Sequence, residues 1–175
     1  SCCFIFPASH SQDSSPSTKQ TRPSTQQERP IQEIKDGFGT YRGEITRGEP
    51  DGYGIKEFNN GNRYEGEWDM GWITGQGIFF YGYKGVKQAD RYEGFLFTAR
   101  PEGFGTYHYS NGDTYTGEFH KGLPHGIGTK TWTTNESYQG HWLKGRRFGY
   151  GIYRWPSGTR HEGFFEKDKQ NGKGT

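Results

Sequence analysis

Aliphatic side chains are the first thing this sequence lacks. Only 28% of its 175 residues are hydrophobic, and aromatic residues alone make up 17%. A chain so poor in Leu, Ile and Val cannot close a thick two-sided core, so any ordered part has to be thin and held by rings. The length allows one domain, or one domain with a tail. Cysteine is nearly missing: Cys2 and Cys3 are adjacent, which supplies neither a disulfide framework nor a metal-ligand spacing. That usage fits a reducing compartment. No run approaches the ~20 apolar residues that a membrane-spanning helix needs, and the short CCFIF stretch lacks the basic segment of a signal peptide. Charge of one sign is missing too. A formal net charge of +2 leaves no electrostatic footprint for nucleic acid as a partner.

What is present is glycine, 29 residues of it, and it is ordered along the chain. Residues 7–30 (PASHSQDSSPSTKQTRPSTQQERP) hold no large apolar side chain and cannot offset their own ordering entropy. Residues 1–35 are therefore expected to be a disordered tail and residues 36–175 a folded array. From residue 41 the chain repeats. Units open at Tyr41, Tyr64, Tyr92, Tyr115, Tyr138 and His161, spaced 23, 28, 23, 23 and 23 residues apart. A glycine follows each opener at +2 (Gly43, Gly66, Gly94, Gly117, Gly140, Gly163), and two more follow at +11 and +13 (for example Gly52 and Gly54, or Gly126 and Gly128). An aromatic stands at +17 in every complete unit: Phe58, Tyr81, Tyr109, Trp132 and Trp155. A fixed period in this range signals a stacked-repeat architecture.

Opener, +2 glycine and the +4 residue (Ile45, Trp68, Leu96, Phe119, Trp142, Phe165) alternate with mostly polar residues. That two-residue period reads as a strand. The second half of each unit alternates likewise, and NNGN, SNGD, TTNE and PSGT between units are turn-forming. Asn135 stands where the other turns carry glycine, which points to a left-handed backbone there. Each unit is thus a β-hairpin, and the expected fold is all-β: an elongated single-layer antiparallel meander of about six hairpins. The glycines leave gaps over which rings from a neighbouring strand lie flat.

The pattern Y-x-G-x-W/F-x-x-G-x-x-x-G-x-G, as in YEGEWDMGWITGQG and YTGEFHKGLPHGIG, resembles the MORN repeat over residues 41–175. Ala99 and Asp168 depart from it by replacing the +7 glycine, and the second unit carries a five-residue insertion near YGYKGVKQAD. GFGTY at 37–41 echoes 103–107, so Tyr41 either opens its unit or closes a decayed earlier one. The last unit, HEGFFEKDKQNGKGT, is cut short, which reads as a slice of a longer chain with an open strand edge for homo- or hetero-oligomers. The resemblance implies a non-enzymatic scaffold for protein–protein interaction. KTWTTNESYQGHWLKG and the insertion are similar to radial spoke head MORN proteins, which implies a cytoskeletal place in the axoneme of a cilium or flagellum with axonemal or MORN-repeat partners. Two alternatives follow from the same resemblance: a module that binds anionic lipid, and a regulatory segment of a larger enzyme such as a lipid kinase or a SET-domain methyltransferase.

Chemistry-bearing constellations are scarce. The GxG pairs lack the third glycine and the βαβ context of a dinucleotide fingerprint, and no Gly-Lys-Ser/Thr follows them, so no cofactor is expected. His108, His120, His125, His141 and His161 have no metal-ligand spacing. With no nucleophile elbow and no paired carboxylates, no catalytic residue is assigned. Two surfaces remain. The aromatic face, carrying Tyr64, Trp68, Tyr81, Tyr92, Tyr109, Tyr115, Phe119, Trp132, Tyr138, Trp142 and Trp155, either stays open as a partner-binding groove or is covered by curling of the sheet. Lys144, Arg146, Arg147, Arg154 and Arg160 form either a patch for anionic lipid or an acidic partner, or an ordinary solvated face.

Overall fold

The computed structural model describes residues 30–85 and 88–171; the expected disorder of the tail lies outside the described residues, apart from its last few positions. Among the described residues there is no helix, and every regular element is a strand. A lone strand β1 (Ile31–Asp36) precedes the first hairpin, β2 (Gly39–Thr46) and β3 (Glu49–Phe58). Next come β4 (Arg63–Asp69) with β5 (Trp72–Tyr81), β6 (Asp90–Phe97) with β7 (Arg100–His108), and β8 (Thr114–His120) with β9 (Leu123–Thr131). The chain continues through β10 (Ser137–Leu143) with β11 (Arg146–Arg154), and β12 (Arg160–Glu166) with β13 (Lys169–Asn171). All pair antiparallel in chain order as one open 13-stranded sheet. The all-β meander of hairpins is what the glycine spacing predicts.

β1 falls inside the stretch that composition assigned to the tail. It pairs because Ile34 lies opposite Tyr41 and packs against the ring core, the one apolar anchor that polar neighbours conceal. Tyr41 itself behaves as an opener, buried like the others.

Two kinds of turn alternate along the sheet. Tight turns close each hairpin with two residues of positive φ, such as Met70 and Gly71 at 43° and 85°. This geometry matches the twist of the flanking strands. Where glycine is replaced, Ala99 and Asp168 still adopt φ of 59° and 71°. The tight turns are tied to the preceding unit: the N–H of Gly71, Gly122 and Gly145 donates to the carbonyl of Pro50, Pro101 and Pro124 at 2.7, 2.9 and 2.8 Å. The longer turns on the other rim start from the +17 aromatic. Trp132 donates its N–H to the Glu136 carbonyl at 3.0 Å and receives the Asn135 N–H at 2.9 Å, with Asn135 at φ 64° as its position among the glycines requires.

The core is a ladder of rings on one face. Tyr41, Tyr64, Tyr92, Tyr115 and Tyr138 are 0% exposed although no second layer covers them. Each ring lies over a pair of glycines directly opposite one another, for Tyr115 the pair Gly117 and Gly128. The +13 glycine is covered from the neighbouring strand, as expected. The +2 glycine is covered by the opener of its own strand, because the phenol has to reach along that strand: Tyr115 Oη donates to the Glu118 carbonyl at 3.0 Å and Tyr138 Oη to the His141 carbonyl at 3.1 Å. A register shift in each of the five hairpins from β2–β3 to β10–β11 frees that carbonyl from the ladder. The +4 residues then close the rings from the side. Trp142 stands edge-on to Tyr115 and Tyr138 with centroids 5.1 and 5.3 Å apart, and its indole N–H donates to the Gly128 carbonyl at 3.1 Å. Edge-on pairs of this kind add about 0.5–1.5 kcal/mol beyond burial. Units therefore hold one another through shared rings, as in other stacked arrays.

Candidate functional site

Burial divides the aromatic residues of the ring face into two groups. Tyr64, Trp68, Tyr92, Tyr115, Phe119, Tyr138 and Trp142 are at most 8% exposed and form the core, so they offer no surface to a partner. Rings shielded by their own hairpins and by the +4 side chains account for this. Tyr81, Tyr109, Trp132 and Trp155 stay half-buried at the rim of the longer turns. The sheet thus covers its innermost rings and leaves the outer ones accessible.

Those outer rings do not stand alone. At +15, two residues back on the same strand face, come Phe79, Tyr107 and Tyr153, which sequence reasoning passed over in favour of +17. Their signal was readable as a second aromatic in the same alternation. With them the rings join: Phe58 to Phe79 (6.1 Å), Phe79 to Tyr81 (4.7 Å), Tyr81 to Tyr107 (5.8 Å) and Tyr107 to Tyr109 (4.6 Å). Lys130 bridges the next step, its ammonium 4.4 Å from the Tyr109 centroid and 5.5 Å from that of Trp132. Trp132 to Tyr153 (5.5 Å) and Tyr153 to Trp155 (4.9 Å) complete a continuous track from β3 to β11. Beyond it lies a cavity of about 400 Å³ lined by Tyr153, Trp155, Phe165 and Arg147.

Carboxylates in the longer turns position the track. Tyr107 Oη donates to Asp90 Oδ2 at 3.0 Å; burial foremost, and then this carboxylate, raise the phenol's pKa. Burial pushes Tyr81 up to about 12. Lys56 and Lys130 occupy +15 in the units that lack an aromatic there. Lys56 is buried and paired with Asp36 at 2.5 Å, and Lys130 lies 3.8 Å from Asp113. These phenols, indoles and ammonium groups give an apolar strip with polar tips, suited to an amphipathic segment.

The basic residues do not converge. Lys144 and Arg146 sit at a tight turn, whereas Arg154 and Arg160 face each other across β11 and β12 at the other rim. The two rims are about 26 Å apart along β11. Arg160 lies 3.6 Å from Glu162. Arg147 belongs to neither cluster: its guanidinium lies 5.4–5.6 Å from the ring centroids of Tyr138, Tyr153 and Phe165 and donates to the Asp168 carbonyl at 2.7 Å. It fills the place that Pro50, Pro101 and Pro124 hold in other units.

The histidines are local partners. His120 Nδ1 is 2.7 Å from Glu102 Oε1, whose pKa is lowered first by the Lys121 backbone N–H and then by this imidazole. His125 stacks edge-on to His120 at 5.6 Å. Among the described residues no three His, Cys, Asp or Glu side chains converge to hold a metal ion.

No curated protein matches the chain. The family model described as MORN repeat matches residues 41–63, 64–82, 92–114, 115–137, 138–160 and 161–175, the same six units that the openers mark. Such repeats form modules that bind protein or lipid. With most of its length in these units and all of them in one sheet, the chain belongs to the MORN-repeat family.

Proposed function

We propose that the chain is a non-enzymatic scaffold that docks a protein segment along the outer aromatic track, and that it serves in the axoneme of a cilium or flagellum as part of a radial spoke head. The observation that carries the docking reading is the continuous track from Phe58 to Trp155, half-buried at every ring except Phe79, which is buried in the core. Tyr107 is held by the Asp90 carboxylate and the other rings are packed against their neighbours, so little side-chain freedom remains to be lost on binding. The ciliary part rests on the resemblance of KTWTTNESYQGHWLKG and of the insertion after Tyr81 to radial spoke head proteins.

Capture from axonemal extract tests both parts. The wild-type chain is expected to retain axonemal proteins, and Tyr109→Ser with Trp132→Ala to lose them while the far-ultraviolet spectrum stays unchanged. Tight, salt-sensitive binding to anionic liposomes with no axonemal protein retained would overturn the reading in favour of membrane association. That second reading draws on the tight-turn rim, where Lys144 and Arg146 flank the exposed Leu143. It predicts that Lys144→Glu with Arg146→Glu abolishes liposome binding.

A further inference from the structure

The face of the sheet away from the rings carries a row of exposed side chains that the track does not use. Bulge geometry and strand register put Phe104 opposite Glu118, Ile127 opposite His141 and Tyr150 opposite Phe164, with Phe95 at the bulge beside Phe104. Phe104 is 67% exposed, Ile127 57% and Phe164 59%. Read strand by strand from β6 to β12, the row runs aromatic, aromatic, carboxylate, isoleucine, imidazole, aromatic, aromatic. About Ile127 the row is symmetric in its aromatic residues and complementary at Glu118 and His141.

A surface that binds its own copy through a two-fold axis must be complementary to itself. An axis parallel to the strands at Ile127 lays β6 over β12 and β7 over β11 of a second copy. Phe95 then meets Phe164, Phe104 meets Tyr150, the Glu118 carboxylate meets the His141 imidazole, and Ile127 meets itself. Six strand spacings make the row about 29 Å long, and with the roughly 26 Å length of a strand such as β11 the face around it spans about 750 Å², close to the roughly 800 Å² per partner of a stable interface. An anionic bilayer fits this face poorly, because Glu118 lies in the row while Glu93 and Glu162 flank it. We propose that this row is the interface of a two-fold, face-to-face dimer of the chain, two sheets packed about 10 Å apart, with both ring faces left open. The proposal does not depend on the docking reading.

Sedimentation velocity on the full chain is expected to show a concentration-dependent species of twice the monomer mass. Ile127→Asp sets two carboxylates against each other at the axis and is expected to weaken association on the order of 100-fold. The position is exposed, so circular dichroism and the melting midpoint should hold. In a background of Cys2→Ser and Cys3→Ser, Ile127→Cys is expected to give a covalent dimer with a short bis-maleimide. Tyr53→Cys, in the same column but on β3, which an axis at β9 leaves outside the overlap of the two sheets, is expected to give none. A wild-type chain that stays monomeric at high micromolar concentration overturns the proposal. So does an Ile127→Asp chain that dimerises unchanged, or Tyr53→Cys cross-linking as well as Ile127→Cys.

Discussion

A side chain at Gly128 would stand 2.5 Å from Cζ of Tyr115, whose ring reaches across from the neighbouring strand and lies over that glycine. Backbone sits beneath and packed rings stand on either side, so the phenol cannot step back. Gly128→Ala is expected to destabilise the sheet by about 1–3 kcal/mol, the usual cost of overpacking. Gly37→Ala, which meets nothing within 4 Å, should stay within about 0.5 kcal/mol. Denaturant melts of the two variants side by side make the comparison.

Burial of the openers gives the fold an alkaline limit. Tyr41, Tyr92 and Tyr138 are pushed from an ordinary value of 10.0 up to about 12. A phenol that holds its proton more tightly when folded contributes stability that is complete below its unfolded pKa. The contribution is lost as pH rises through the folded one. Stability is therefore expected to be flat below pH 10 and to fall between pH 10 and 12. Phenolate absorbance of the buried openers should appear together with unfolding, after that of exposed tyrosines such as Tyr83; gradual ionisation of all tyrosines in a folded sheet would contradict this.

Ala99 is a stabilisation waiting to be made. At φ 59° it occupies the backbone region where its equivalents Gly71, Gly122 and Gly145 sit without steric cost. Ala99→Gly is expected to raise stability by about 1 kcal/mol and Gly71→Ala to lower it by a similar amount. Asn135→Gly should be close to neutral, because asparagine already tolerates φ 64°. Melting midpoints of the three variants check the order.

Arg147 behaves as a packing residue. Its guanidinium lies among three rings and holds the last tight turn through Asp168. Arg147→Ala is expected to cost about 1–2 kcal/mol, from lost cation–π contact and lost stem packing. Lys144→Ala and Arg146→Ala, both exposed, should stay within about 0.5 kcal/mol. Equal losses at all three positions would contradict this assignment.

Fold class was legible because the glycine period marks every hairpin, and Asn135 even disclosed the handedness of its turn. The candidate site was legible in part. Tyr109 and Trp132 were found at +17, but Phe79, Tyr107 and Tyr153 at +15 were missed because Lys56 and Lys130 interrupt that column. A lysine with a turn carboxylate and rings beside it can fill an aromatic position, and no spacing rule announces it. The row from Phe95 to Phe164 went unread for another reason: its members alternate between +3 and +12, and only cross-strand pairing sets them in line.

The order of the chain alone determined that these residues form strands, where they turn, and which positions stay bare of side chains. Tertiary structure decided which rings are hidden. A single sheet has no second layer to bury Tyr115 or Tyr138, so their concealment comes from paired glycines beneath and from two +4 rings at the sides, the unit's own and the next unit's: Phe119 and Trp142 for Tyr115, Trp142 and Phe165 for Tyr138. Separation of core from surface on one face is a property of neighbouring hairpins in contact, and a linear pattern that repeats identically cannot express it.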